Sequence, residues 1–175
     1  MKRIGIVPET YRILLQLGKI VGALTFLFGI PYGVEQYLEK QYEGRVSETL
    51  EFYKQFNNPP VSTYRENITK ALVANDAAIV AASAKGADAL GDVVMNMVDQ
   101  RGIETDLLMT MDFFDGLVTC VEKTLCDRET AQSLFSPRAR DLFVNFYQYI
   151  EQRRTTSAGP NFAMGLQVTA QKKLK

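Results

Sequence analysis

Apolar residues fill the chain almost without interruption from 13 to 34 and afterwards recur every three or four positions, so one solid run is followed by helical periodicity. The solid run reads ILLQLGKIVGALTFLFGIPYGV, with Lys19 as its one charged residue. At 1.5 Å per residue it covers roughly 33 Å, the hydrocarbon thickness of a bilayer, and it predicts a transmembrane helix over 13–34. Within it Gly18, Gly22, Thr25, Gly29 and Gly33 are spaced by four, three, four and four positions. Those spacings hold the five small side chains within about 80° of one another around the helix. In lipid, where no hydrophobic force draws helices together, such a stripe lets a second backbone approach closely. We therefore expect the stripe to dock onto other membrane protein subunits, in a hetero-complex rather than a homo-oligomer.

Beyond the run, Val34, Leu38, Tyr42, Val46, Leu50, Tyr53 and Phe56 keep a helical spacing, which predicts an amphipathic stalk over 35–56 continuing the membrane helix. Pro31 is expected to bend it near the headgroups, since a proline inside a helix removes one backbone hydrogen bond. Asn57-Asn58-Pro59-Pro60 then predicts an extended elbow over 57–61, because each residue before a proline is pushed out of the helical region.

Residues 62–154 read as a helical domain. Ser62 can cap a helix to about Ala74, and Asp76 can cap a long one to about Gln100, with Ile79, Ser83, Gly86, Leu90, Val93 and Met97 on one face. Its small residues, from Ala77 and Ala78 to Ala89 and Gly91, predict tight packing against a neighbouring helix within the domain. Asp76, Lys85, Asp88, Asp92 and Asp99 interrupt this stretch too often for a second span. Gly102 stops it, and a following helix carries a seam of Leu107, Met111, Phe114, Val118, Val121 and Leu125. Asp127 caps a short helix to Phe135, and Ser136-Pro137 reads as the start of the last one, with Leu142, Phe143, Phe146, Tyr149 and Ile150 on its face. Residues 155–175 read as a flexible tail or an arm ordered by a partner. The fold class is thus all-α: a short segment over 1–12, one membrane helix, a stalk, and a small helical bundle.

Composition narrows the chemistry. Twenty basic and 20 acidic side chains cancel, so no basic field points to nucleic acid. Histidine is absent, which removes His general bases, His metal ligands and every catalytic pair built on imidazole. No nucleophile–base pair and no glycine-rich phosphate loop can be found among the remaining residues. The reading is a non-enzyme, with no catalytic residue, cofactor or metal.

Lys2, Arg3, Arg12 and Lys19 on the amino side, against Lys40, Arg45 and Lys54 on the other, favour a cytoplasmic amino end and a periplasmic carboxyl domain. Lys19 can snorkel to the headgroups. A cleaved signal peptide is the competing interpretation. The run is longer than a signal core and GIPYGVEQY lacks a small-x-small cleavage site, so a retained signal-anchor is expected.

Cys120 and Cys126 would point about 120° apart on a continuous helix, too divergent for a disulfide, whereas a helix ending near Lys123 would let them close one in an oxidising compartment. Two buried free thiols are the other possibility. Asp106, Asp112 and Asp115 read as a solvated acidic face rather than metal ligands, Asn67-Ile68-Thr69 as a chance glycosylation sequon, and Lys172, Lys173 and Lys175 as a solvated end.

The segment 113–154 has an aromatic pair followed by an acid (Phe113, Phe114, Asp115), then a hydrophobic helix, a turn ending in Asp127 with Glu129, a helix to Phe135, and a closing Tyr149-Ile150 with Arg153 and Arg154. In these features it resembles the carboxyl-terminal helices of a bacterial family of small single-span helical membrane proteins classed as a domain of unknown function. The resemblance implies the topology, a bacterial inner membrane location and no activity. The Ala-rich middle and the long tail depart from it. The function expected is that of an accessory or scaffolding subunit of a larger membrane complex, in contact with the lipid bilayer. The alternative is a membrane-anchored sensor that signals through the stalk.

Overall fold

The computed structural model describes the backbone of residues 8–156 and 158–174, and side-chain surroundings over 14–174 except at 23, 24, 27–31 and 157. Among the described residues the chain is all-helical, with α1 (Pro8–Asn57), α2 (Val61–Ala74), α3 (Asp76–Ser83), α4 (Ala87–Arg101), α5 (Glu104–Glu122), α6 (Arg128–Asn145), α7 (Tyr147–Thr156) and α8 (Met164–Ala170). It divides into two units, Met1–Glu43 and Gly44–Lys175.

The described part of the first unit is the amino-terminal part of α1. Its helical backbone runs unbroken through Pro31, and the side chains of Gly29 and Pro31 lie outside the described residues. Among the described residues, no helix is long and apolar enough to cross a membrane. Positions 13, 23, 24 and 27–31 of the expected span fall outside that search. The apolar side chains that are described, Leu14, Leu15, Leu17, Ile20, Val21, Phe26, Tyr32 and Val34, are all exposed.

The second unit holds the core, and its limits correct two expectations. The stalk does not stop at the domain's edge: the last turns of α1 belong to the unit, with Thr49 and Phe56 buried and Phe52 and Tyr53 packed against the core. The inward face is Thr49, Phe52, Tyr53 and Phe56, at i, i+3, i+4 and i+7, and it leaves Leu50 in solvent. The tail expected over 155–175 is not a free arm either: residues 158–174 fold back, with α8 packed on α5 and α6, burying Leu166, Thr169 and Leu174.

Polar contacts fasten that return. Arg154 donates from Nε to the Phe162 carbonyl at 2.9 Å, from Nη2 to Gln167 Oε1 at 2.9 Å and from Nη1 to Glu151 at 2.8 Å. Gln132 Nε2 donates to the carbonyl oxygens of Lys172 at 3.3 Å and Leu174 at 3.5 Å. Lys172 and Lys173 are therefore part of a packed turn; Lys175 lies outside the described residues. The approach is close at Gly165, whose N–H donates to Asp115 Oδ1 at 2.6 Å. A Cβ there would stand 2.6 Å from both Asp115 Cα and Asp115 N.

Three helices end in the same reversal. After α4, Gly102 takes φ 63°, its N–H donates to Asp99 O and that of Ile103 to Val98 O. After α5, Thr124 takes φ 57° with Thr124 N–H on Val121 O and Leu125 N–H on Cys120 O. After α8, Lys172 takes φ 55° with the equivalent pair to Thr169 O and Val168 O. Each is a Schellman motif, in which one left-handed residue satisfies two orphan carbonyls and turns the chain back. Glycine takes this conformation without strain, and Thr124, β-branched, does not.

Other boundaries differ locally. The long helix expected over 76–100 breaks at Ala84-Lys85-Gly86, because Gly86 sits at φ 120°, a region L residues avoid. Its alanines are not packed as expected: Ala82 and Gly91 are buried, whereas Ala77, Ala78, Ala81, Ala84 and Ala87 are exposed, and α4 turns in Val94, Met97 and Val98 instead. Ser136-Pro137 starts no helix; α6 continues through it to Asn145, and Asp127 caps the whole of it by accepting from Thr130 N at 2.8 Å. Neither Ser62 nor Asp76 caps a helix through its side chain; the residues at those helix starts are Pro60 and Asn75. Where an extended elbow is expected over 57–61, residues 58–60 form a tight turn between α1 and α2: Pro60 sits in the helical region at φ −86° and ψ −18°, Ser62 N–H donates to Asn58 O at 3.1 Å, and the Pro59-Pro60 bond is cis. Leu125 leaves the α5 seam for solvent, and Leu117 takes a place in the core.

Candidate functional site

The predicted docking stripe lies on the first unit. Gly18, Gly22, Thr25 and Gly33 are exposed, and a Cβ placed on Gly18, Gly22 or Gly33 would meet nothing within 4 Å. Thr25 Oγ1 is satisfied along its own helix, on Val21 O at 2.9 Å. Gly29 lies outside the described side chains.

Cys120 and Cys126 are joined in a disulfide, with Cα atoms 5.2 Å apart. The local cause is the end of α5 at Glu122 and the Thr124 turn, which returns Cys126 N–H to within 3.2 Å of Cys120 O. The three aspartates of the acidic face do not converge. Asp106 accepts from Asn67 Nδ2 at 3.0 Å, Asp112 is exposed, and Asp115 binds Gly165 N. Burial pushes the Asp115 carboxyl up, against the lowering effect of the Gly165 hydrogen bond. Among the described residues no group of His, Cys, Asp or Glu is arranged to hold a metal.

The motif residues of 113–154 serve the core. Phe113, Phe114 and Phe135 surround Phe56, with ring centroids 5.1 to 5.8 Å from it. Tyr149 is buried, and burial raises its phenol to about 12. Its hydroxyl donates to Glu104 Oε1 at 3.4 Å, and Arg153 pairs with the same oxygen at 2.7 Å.

Sequence reasoning missed a cleft of about 220 Å³ between α2, α5 and α6. Apolar walls come from Phe56, Ile68, Leu72, Phe114 and Leu142, and polar groups from Thr69, Thr110, Asp141 and Asn145, together with two arginines, Arg65 and Arg138. Arg65 lies across the Phe56 ring, its guanidinium carbon 3.8 Å from the centroid, and Nη1 donates to Phe56 O at 2.9 Å. It thereby occupies the carbonyl end of α1, where a cation is favoured by the helix dipole. Burial lowers the Arg65 pKa and the charge of Arg138 lowers it further. Among the described residues, neither guanidinium pairs with a carboxylate within 4.0 Å. The two arginines are 73 positions apart (138 − 65) on different helices, a spacing that carries no periodic signal.

Comparison with protein-family models, with curated proteins and with solved structures finds no match.

Proposed function

We propose that this chain is a non-catalytic, membrane-anchored accessory subunit, whose amino-terminal helix sits in the bilayer and docks onto other membrane subunits through Gly18, Gly22, Thr25, Gly29 and Gly33. The observation that carries this reading is the exposure of Leu14, Leu17, Ile20, Val21, Phe26 and Val34 along one helix. Apolar surface of that extent is costly in water and favourable in lipid. The uncovered stripe is consistent with a partner helix lying along it. The Cys120–Cys126 bridge supports an oxidising compartment for the 44–175 unit, hence a periplasmic carboxyl side and a cytoplasmic amino end at a bacterial inner membrane.

A membrane-anchored sensor is the second reading, favoured by one observation: Phe56, in the last turn of α1, lines the arginine cleft.

Membrane fractionation with the full chain tests the first reading. The protein should stay in the membrane pellet through alkaline carbonate. Gly22→Leu with Gly29→Leu should leave it inserted and abolish co-purification of its partners, because each leucine fills the space a neighbouring backbone needs. Release by carbonate would overturn the anchor. Unchanged co-purification would overturn the docking face.

A further inference from the structure

We infer that the cleft between α2, α5 and α6 binds a small monoanionic carboxylate with an apolar body, the carboxylate held between Arg65 and Arg138. The argument begins with charge. Two guanidiniums and the Asp141 carboxylate line the cleft, so its balance is a single positive charge (two minus one), which one carboxylate neutralises. Guanidinium is the side-chain group whose planar donors match a carboxylate in pairs.

Donors are available. A guanidinium offers five N–H groups. Arg65 commits one of them, Nη1, to Phe56 O. Arg138 is exposed and makes no hydrogen bond to the described protein. Like charges sharing a cleft disfavour one another, and the lowered Arg65 pKa records that repulsion after the larger effect of burial. An anion between them replaces the repulsion with two attractions.

Size and walls set the rest of the ligand. A cavity of about 150 Å³ lined by apolar side chains accepts a benzene ring. The cleft, at about 220 Å³, has room for one ring with a carboxylate. Phe114, Ile68, Leu72 and Leu142 supply apolar contact for that body, and a bare phosphate would leave them unused.

The probe is sodium benzoate, with neutral benzamide and inorganic phosphate as comparisons, titrated calorimetrically into the full chain in detergent micelles. Saturable one-to-one benzoate binding is expected, with benzamide and phosphate at least tenfold weaker. Arg138→Gln should weaken benzoate binding at least tenfold while the melting temperature without ligand does not fall. Arg140→Gln, exposed on the same helix but outside the cleft, should bind as the parent does. Absence of saturable binding, benzamide binding as tightly as benzoate, phosphate binding as tightly as benzoate, or an Arg138→Gln protein that binds normally would each overturn the assignment.

Discussion

Thr49 Oγ1 accepts a 2.8 Å hydrogen bond from the backbone N–H of Asp127, joining the last turns of α1 to the start of α6 across 78 positions of sequence. Thr49 is fully buried, and its hydroxyl proton goes to Arg45 O at 2.8 Å. Arg45 O also accepts from Asp127 N, at 3.2 Å. Replacing Thr49 with Val preserves shape and removes both uses of the hydroxyl. The Asp127 N–H would keep only its longer contact, so a loss of about 1 kcal/mol is expected, at the low end for a buried unmet donor. Thr49→Ser should recover most of it. Chemical denaturation of the parent and the two variants checks the ordering, and a Val variant as stable as the parent would remove this bond from the account.

Gly165 is a tighter constraint. An alanine Cβ would meet Asp115 main-chain atoms at 2.6 Å, and helix backbone cannot yield as a side-chain tip can. Gly165→Ala should therefore undock α8 and uncover Leu166 and Leu174, at a cost of about 2 to 4 kcal/mol. Hydrogen exchange over 163–174 should rise before the rest of the domain opens. If protection there is unchanged, α8 is not held by this contact.

Two carboxyls make opposite contributions as pH changes. Burial works against the charged form of Asp127, but the hydrogen bonds from Thr130 and the Arg45 charge outweigh it and hold the carboxyl below its ordinary 3.8. A depressed acid stabilises the fold above its unfolded pKa, and that contribution is lost as pH falls through the folded value. Asp127→Ala should cost about 1 kcal/mol near neutrality, the usual worth of an N-cap, with the difference shrinking below pH of about 4. Asp115 is raised, chiefly by burial, so its contribution is present below the unfolded pKa and lost as pH rises through the folded one. Asp115→Asn, which can still accept from Gly165 N, should gain stability at neutral pH and match the parent in acid. Melting curves across pH 3 to 7 test both signs, and an Asp115→Asn protein less stable at neutral pH than in acid, relative to parent, contradicts the second.

How legible this fold was depends on how local each feature is. The Gly102 stop and the Asp127 cap are written in adjacent residues with fixed backbone preferences, and both stand where their residues say. Ser136-Pro137 carries an equally strong local start signal and fails, because α6 tolerates the one hydrogen bond that proline removes while Phe135 and Ala139 on either side are fully buried. The tail shows the same effect in reverse. Its Gly and Pro suggest disorder locally, whereas its order comes from Arg154, Gln132 and Asp115, which lie up to 50 positions away. The arginine cleft is wholly a product of tertiary packing, so no sequence window contains it.

Thr124 offers a gain of stability. A β-branched residue at φ 57° carries strain of about 1 to 2 kcal/mol, which glycine does not. Glycine's own entropy takes back about 0.5 to 1 kcal/mol. Thr124→Gly should therefore stabilise the domain by up to about 1.5 kcal/mol and leave the Cys120–Cys126 bridge in place. Denaturant midpoints and mass under non-reducing conditions measure the two effects, and a destabilised variant would show that the Thr124 side chain contributes more than its backbone costs.

The decisive experiment on domain limits compares two fragments. Residues 44–175 include the last turns of α1 and the whole of α8, whereas 62–154 lack both. In the longer fragment Phe56 sits among Phe113, Phe114 and Phe135, and Leu166 and Leu174 complete the core beside α5 and α6. Removing a buried Phe costs about 3 to 5 kcal/mol and a buried Leu about 2 to 5. Those three losses together, about 7 to 15 kcal/mol, are comparable with the roughly 5 to 15 kcal/mol that holds an ordinary domain folded. The shorter fragment also loses Phe52, Tyr53 and Thr169, together with the Thr49 acceptor at Asp127. We therefore expect 44–175 to be helical by circular dichroism with one cooperative melt, and 62–154 to be unfolded or aggregated under the same conditions. Adding only 44–61 to the short fragment should not rescue it, because α8 would still be missing and the faces of α5 and α6 that receive Leu166 would remain in water. A cooperative melt from 62–154 alone would mean that α1 and α8 decorate the core instead of forming it.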